Sequence, residues 1–362
     1  MSGKKLFLIL GKYNRQIVAI VFTLWGLLLR FQRLADRELW TDELIQLEAT
    51  LDPFFTLLNP ASPRSDTTGF IGDYLLTYYF VRFFGVNKLA VAIPHIIVTC
   101  IGFYFFYLIC QKYFKTIWGF IIAYAIVCFN SQLIYYSFEI RPYAVLPTLA
   151  LGCFHSMGEL LEKQSTLVSL RKRVWLSIFF TVTILFHVYG ILIVFTTGIF
   201  HVINQFTNYS IKDILKRYFK FFGLILLIAM PLWAWFSGAI IHNLGTMKAF
   251  DTFAFIPSPL VDPIGFLKGI FCNLIGYKPF YAAFLGIVLA FLIPHRERNR
   301  QIGFFLVLVI FPLVCLLLAD LYLGYWFLQR QFTWIMPLFA FFLGWCWDSI
   351  NVWTYVRSWR KA

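Results

Sequence analysis

The 362-residue sequence predicts an all-α, polytopic membrane protein folded as a single domain over residues 1–362, and three observations lead there. Hydrophobic residues make up 60% of the chain and charged residues 13%, with a mean hydropathy of +0.75, far more apolar than a soluble domain. Apolar runs long enough for the roughly 20 residues that carry a helix across a bilayer recur along the whole length, separated by short charged gaps. Basic and acidic residues fall in alternate gaps, as the positive-inside rule requires of a chain that crosses repeatedly. No stretch remains for a separate soluble catalytic domain, so any chemistry must come from loops and helix ends.

Ten spans are expected, at 16–34, 89–110, 116–135, 143–161, 174–190, 189–206, 220–238, 279–294, 301–319 and 332–350. The fifth and sixth must turn tightly around His187, Tyr189 and Gly190. The start, MSGKKLFLIL, has basic residues and an apolar run but no small-residue cleavage site, so it reads as retained, with the first span as an uncleaved anchor. Placing the N-terminus inside puts most Lys and Arg inside as well, among them Lys4, Lys12, Arg15, Lys112, Arg171, Lys216, Arg298 and Arg360. Asp36, Glu38, Asp42, Glu43, Glu48, Asp52, Asp66, Asp73, Glu139, Asp251, Asp262 and Asp320 then fall outside or at the outer boundary. Functional polar groups are therefore expected on the outer face.

The first outer segment, about 35–88, is too long for a simple connection. Trp40, Leu44, Leu47 and Leu51 stand at i, i+4, i+7 and i+11, an apolar stripe suited to a helix lying on the membrane surface and packed on the first span. TYYFVRFFGV, residues 77–86, reads as a second interfacial helix. In the second outer loop, about 239–278, the three prolines of FIPSPLVDP argue against continuous helix.

The formal net charge of +14 does not point to nucleic acid, because the basic residues are scattered among short loops and form no continuous basic surface. The seven cysteines lie mostly inside apolar runs without CxxC spacing, which excludes a zinc or disulfide framework.

Two short stretches carry the chemistry. In DRELWTDELIQLE, residues 36–48, Asp42 and Glu43 follow Trp40 at the outer end of the first span. One reading is structural: Thr41 caps a helix and two acids complement its dipole. The other is catalytic, and since neighbours on a helix point about 100° apart, one carboxylate would act and the other support it. In FNSQLIYYSFEIRPYAV, residues 129–145, Glu139 and Arg141 sit between two apolar helices, with Pro142 placed to start the next helix. They form either a local ion pair or a clamp for phosphate at headgroup depth, because the guanidinium fork binds phosphate oxygens bidentately.

Taken in order, WTDE at 40–43, DYLLTYYFVRFFGVNKLAVAIPH at 73–95 and YYSFEIRPYAV at 135–145 resemble the class C polyprenyl-phosphate-sugar-dependent glycosyltransferases, the group of the protein O-mannosyltransferases and aminoarabinose transferases. RQFTWIMP at 330–337 looks like a degenerate form of a late Arg-Tyr and proline pattern. The match in order and spacing covers about residues 20–160. Gly72 and Asp73 stand where such chains carry His-Pro or Pro-Pro, and Gln331 and Phe332 where a tyrosine is usual.

The resemblance implies an inverting transfer with Asp42 as general base and Glu43 in support. Arg141, with Arg330 behind it, would hold the lipid phosphate of the donor; Glu139 would orient Arg141, and Tyr143 would line the site. Trp40, Asp73, His187 and Tyr189 are candidate substrate contacts. Asp73 also has a divalent metal as an alternative, but no companion ligand is evident; His187 reads first as a packed, hydrogen-bonded histidine and only second as a contact to donor or acceptor. The implied partners are a polyprenyl-phosphate sugar donor, a glycan, lipid or protein acceptor and membrane lipid, with no nucleic acid. The implied place is a bacterial inner membrane with the site facing outward. A transporter or flippase of lipid-linked saccharides is the alternative function, although such proteins tend to carry charges near mid-membrane and repeated halves. A polysaccharide polymerase or ligase and a purely structural subunit complete the set.

Overall fold

The computed structural model describes residues 3–59, 71–161, 170–205 apart from 188, 298–323 and 329–359, with isolated positions between 210 and 269. The expected span 279–294, most of the span 220–238 and nearly all of the loop 239–278 lie outside the described residues. Every regular element among the described residues is helical. In chain order they are α1 (Gly3–Asp36), α2 (Thr41–Leu51), α3 (Phe54–Leu58), α4 (Gly72–Phe84), α5 (Lys88–Tyr113), α6 (Ile117–Phe129), α7 (Ser131–Tyr136), α8 (Pro142–Leu161), α9 (Leu170–Phe186), α10 (Tyr189–Gln205), α11 (Arg298–Phe305), α12 (Phe311–Leu323) and α13 (Met336–Trp359). A π turn at Leu306–Ile310 joins α11 to α12, and a 3-10 turn at Gln329–Phe332 precedes α13.

Three stretches are long and apolar enough to cross a membrane, Asn14–Ala35, Lys88–Tyr113 and Arg298–Leu316, and shorter apolar helices cover 117–129, 174–186 and 189–205. These mark a membrane protein. The predicted turn between 174–190 and 189–206 falls at His187, between α9 and α10.

The expected span 116–135 is not continuous. Asn130 leaves the helical region at ψ 124, and its side chain accepts from the N–H groups of Gln132 and Leu133, so α6 stops and α7 restarts. A side-chain oxygen that satisfies the next helix's orphan donors favours a cap over continued helix. The second surface helix begins at Gly72, ahead of the expected 77, and stops at Gly85, whose φ of 78 is the left-handed conformation that glycine supplies at a helix end.

The α2 helix packs mainly on α4 and not on α1 as the sequence suggested. Its polar residues Glu43, Gln46 and Thr50 are the buried ones, while Leu44, Ile45 and Leu51 are exposed. Asp73 of α4 accepts from Gln46 and from His95 Nε2 of α5 (3.0 Å), and Arg82 donates to the carbonyls of Leu51 (2.8 Å) and Asp52 (3.1 Å) at the end of α2. Hydrogen bonds, together with buried Ala49 and with Leu47 packed on Val81, Val91 and Ile140, therefore hold α2 from inside, and Leu44 and Leu51 of the apolar stripe are left outward.

The main core joins α5, α6, α8, α10, α11 and α13. Gly119 of α6 and Gly344 of α13 face each other so closely that a Cβ on Gly344 would lie 2.5 Å from the Gly119 carbonyl oxygen. Asp348 accepts from the N–H groups of Lys115 (2.8 Å) and Thr116 (2.5 Å) at the start of α6. This crossing fixes α13, and with it the turn that carries Arg330.

Candidate active site

Trp40 occupies the N-cap of α2, not Thr41, and its N–H donates to the Glu43 carboxylate at 3.1 Å, the return half of a capping box. Helical geometry then separates the two acids. Glu43 turns inward and is fully buried; Asp42 turns outward and its side chain keeps 32% of its surface. Glu43 Oε2 also takes a 2.6 Å bond from Arg37, and Oε1 accepts from the Ile140 N–H at 2.9 Å. Both carboxylate oxygens are thus engaged in joining the WTDE segment to the turn that carries Glu139 and Arg141. Arg37, which sequence reasoning passed over, completes this tie with its guanidinium 5.3 Å from the rings of Tyr135 and Phe138. Glu43 is a buried anchor, and its environment leaves Asp42 as the accessible carboxylate.

Arg330 arrives from 288 residues away, its Nη2 3.0 Å from Asp42 Oδ2. Its turn is pinned by Thr333, whose hydroxyl lies 3.1 Å from the Tyr143 carbonyl oxygen and 2.9 Å from that of Arg330, and by the fully buried Phe332, Trp334 and Ile335. The guanidinium lies 4.7 Å from the Trp40 ring centre and 5.1 Å from that of Tyr143. Arg141 approaches the same oxygen of Asp42 at 3.7 Å. Glu139 was expected to orient Arg141; instead its Oε1 lies 3.5 Å from Arg330 Nη1, so Glu139 pairs with Arg330 and Arg141 with Asp42. Arg330, the weaker candidate in the sequence, is the closer partner of Asp42.

Electrostatics follow from this packing. Burial pushes the Glu139 carboxyl up to about 7, against the pull of Arg330 and with the help of Glu43. Its two oxygens accept no hydrogen bond among the described residues. Burial works against charge on Arg330, but Tyr143, Glu139 and Asp42 outweigh it and raise its pKa above the ordinary value. His187 is pushed down to about 3 by burial and then by Arg330 and Arg141, so it is neutral. Its Nδ1 accepts from the Tyr189 N–H at 3.2 Å, which places the ring proton on Nε2. The ring packs 5.4 Å from Tyr143 and 4.3 Å from Tyr189. Two permanent cations thus face the half-open carboxyl of Asp42 and the Glu139 carboxyl that burial pushes up to about 7, a balance that favours binding an anion.

Of the ten sequence-predicted residues, Trp40, Asp42, Glu43, Glu139, Arg141, Tyr143, His187, Tyr189 and Arg330 converge on this end of the bundle. Asp73 does not join as a contact surface. It is fully buried and held by His95 and Gln46, which corrects the expectation that it meets substrate or metal. His95 and Gln46 were missed; a histidine inside an apolar run was the available signal for the first. Among the described residues no group of three or more His, Cys, Asp or Glu could hold a metal ion. Compared with known proteins, the chain matches no family model, no curated protein and no solved structure.

Proposed function

We propose that this protein is a multi-pass membrane glycosyltransferase, with about ten spans and a cytoplasmic N-terminus, that moves a sugar with inversion from a polyprenyl-phosphate-linked donor to an envelope acceptor on the outer face of a bacterial inner membrane. The observation that carries the reading is a half-open carboxylate, Asp42, shared by two arginines from distant parts of the chain. A group-transfer step needs a base and a holder for a departing phosphate, and here they lie within one ion-pair distance.

In this reading Asp42 takes the proton from the acceptor hydroxyl or amine as that atom bonds to the anomeric carbon. The bond from carbon to phosphate oxygen breaks, and its electron pair leaves on the lipid phosphate. Arg330 and Arg141 hold the charge that develops there, which removes the need for a separate acid. Donor phosphate would compete with Asp42 for Arg330 and so free the carboxylate to face the acceptor. Glu43 and Arg37 act as positioning residues, Trp40 and Tyr143 hold the Arg330 guanidinium by its faces, and neutral His187 gives the wall a fixed donor tautomer. The exposed stripe of α2 would rest on the outer leaflet and set the site at headgroup depth.

Binding of polyprenyl phosphate tests the donor half of the proposal. Purified protein in nanodiscs should retain the lipid in native mass spectra, and Arg330→Ala should lose it at temperatures where the variant remains folded. Equal retention by both would remove Arg330 from the phosphate site.

A further inference from the structure

Glu139 has no task in the transfer step described above. It sits in the turn between α7 and α8, is 1% exposed, and neither of its carboxyl oxygens accepts a hydrogen bond among the described residues. Glu43, equally buried, is the contrast: it accepts from Arg37, from the Trp40 N–H and from the Ile140 N–H. A carboxylate cut off from water is ordinarily satisfied in that way. Glu139 is compensated by charge instead. Its Oε1 lies 3.5 Å from Arg330 Nη1, an ion pair without a hydrogen bond, while Nη2 of the same guanidinium lies 3.0 Å from Asp42 Oδ2.

Arg330 is thus shared by two acids, and the donor phosphate would claim the same guanidinium. Asp42 is half-open to solvent and keeps Arg141 at 3.7 Å, whereas Glu139 has no solvent to turn to. The other groups around Glu139 are Arg37 just beyond α1, Glu43 of α2, Tyr136 of α7, Arg141 of its own turn and Tyr143 of α8. Arg37 is engaged by Glu43 at 2.6 Å and Arg141 faces Asp42, so neither replaces Arg330; His187 is neutral and adds no charge. Burial pushes the Glu139 carboxyl up to about 7, and Arg330 is the strongest of the pulls that hold it down. An anion on Arg330 cancels that pull and adds repulsion, and both effects favour the neutral acid.

With the transfer reading as its premise, we propose that Glu139 makes donor binding a proton-coupled step: as the lipid phosphodiester takes Arg330, Glu139 takes up one proton from solvent and stays neutral while the anion is bound. One negative charge and one proton enter together, so the net charge of the buried site is unchanged. Glu139 acts through Arg330 as a positioning residue and touches no reacting atom. Ionised, it competes with the donor for the guanidinium; neutral, it does not.

The probe is farnesyl methyl phosphate, a diester with one negative charge and no proton of its own to exchange near neutrality. Its binding to the purified protein in nanodiscs is followed by titration calorimetry from about pH 6 to 9, in two buffers of different ionisation enthalpy so that protons taken up are counted. Below about pH 7 Glu139 is already neutral in the free protein, so wild-type affinity should be level there. Above it the affinity should fall by up to about tenfold per pH unit, with close to one proton taken up per diester at about pH 8. Glu139→Gln, which fixes the neutral form, should bind throughout as the wild type does at the lowest pH, and take up no proton. A level wild-type affinity without proton uptake, or a Glu139→Gln protein that keeps the wild-type slope, would overturn the inference and leave the donor site standing. Should Glu139→Gln fail to fold, the infrared difference spectrum of Asp42→Asn protein decides: the diester should raise a neutral-carboxyl band, and its absence overturns the inference. A diester that binds the wild type at no pH would remove the donor site itself, and the proton coupling with it.

Discussion

Asp42 and Glu43 are adjacent acids with opposite fates, and substitutions should separate them. Asp42→Asn removes a proton acceptor that keeps 32% of its side-chain surface, and is expected to lower transfer by about 10² to 10⁴ while leaving expression and thermal midpoint near wild type. Glu43→Ala leaves the partly exposed Arg37 without its buried partner and unpins Ile140, so it should cost stability, on the order of 3 kcal/mol, seen as a lower midpoint. Glu139 adds a pH signature. Its folded pKa lies near 7, above the value of an exposed carboxyl, so its contribution is complete below the unfolded pKa and is lost as pH rises through about 7. His187, depressed to about 3, acts in the opposite sense, losing stability as pH falls below its unfolded value. The midpoint of wild type relative to Glu139→Gln should therefore fall between pH 5 and 8, and a flat difference would contradict the burial of an ionisable Glu139. At this scale Asp42 and Arg141 were legible because each stands as an acid or a base beside an apolar run. The division of labour between Asp42 and Glu43 was not, since only the direction of the helix axis decides which of two neighbours points inward. Arg330 was underrated because its partner is 288 positions away.

The elements that position these side chains rest on a few close approaches. Gly344 meets Gly119 where no Cβ fits, so Gly344→Leu should force α6 and α13 apart and tilt the Arg330 turn. The expected cost is about 1–3 kcal/mol or more in stability, with loss of polyprenyl phosphate retention at temperatures where the protein remains folded. Gly72 makes a comparable approach, since a Cβ there would lie 2.6 Å from the Phe186 ring, next to His187. Hydrophobic runs announced most helices, because the bilayer demands length and apolarity that few other segments share. They did not announce the break at Asn130, where one side-chain oxygen on two backbone N–H groups outweighs the continuity of an apolar run. Nor did the periodicity of α2 reveal its support: the stripe of Trp40, Leu44, Leu47 and Leu51 was visible, but the hydrogen bonds that hold the opposite face to α4 connect residues 27 and 31 positions apart.

For the whole molecule, the proposed orientation, read from the alternation of charge along the chain, would place Asp42, Arg141 and Arg330 on the outer side. Single cysteines placed at residues 38 and 171 in a cysteine-free background should differ in reaction with an impermeant maleimide on intact spheroplasts, with 38 labelled and 171 protected. The reverse pattern would turn the site toward the cytoplasm and remove the envelope acceptor. The central claim is that Asp42 is the base of a sugar transfer. Its most direct test is mass spectrometry of envelope glycans, glycolipids and glycoproteins from cells lacking the protein, complemented with wild type or Asp42→Asn at equal membrane levels. The account predicts that one sugar-bearing species disappears, returns with wild type and stays absent with Asp42→Asn, while its polyprenyl-phosphate donor accumulates; restoration of that species by Asp42→Asn would contradict it and favour a transport role.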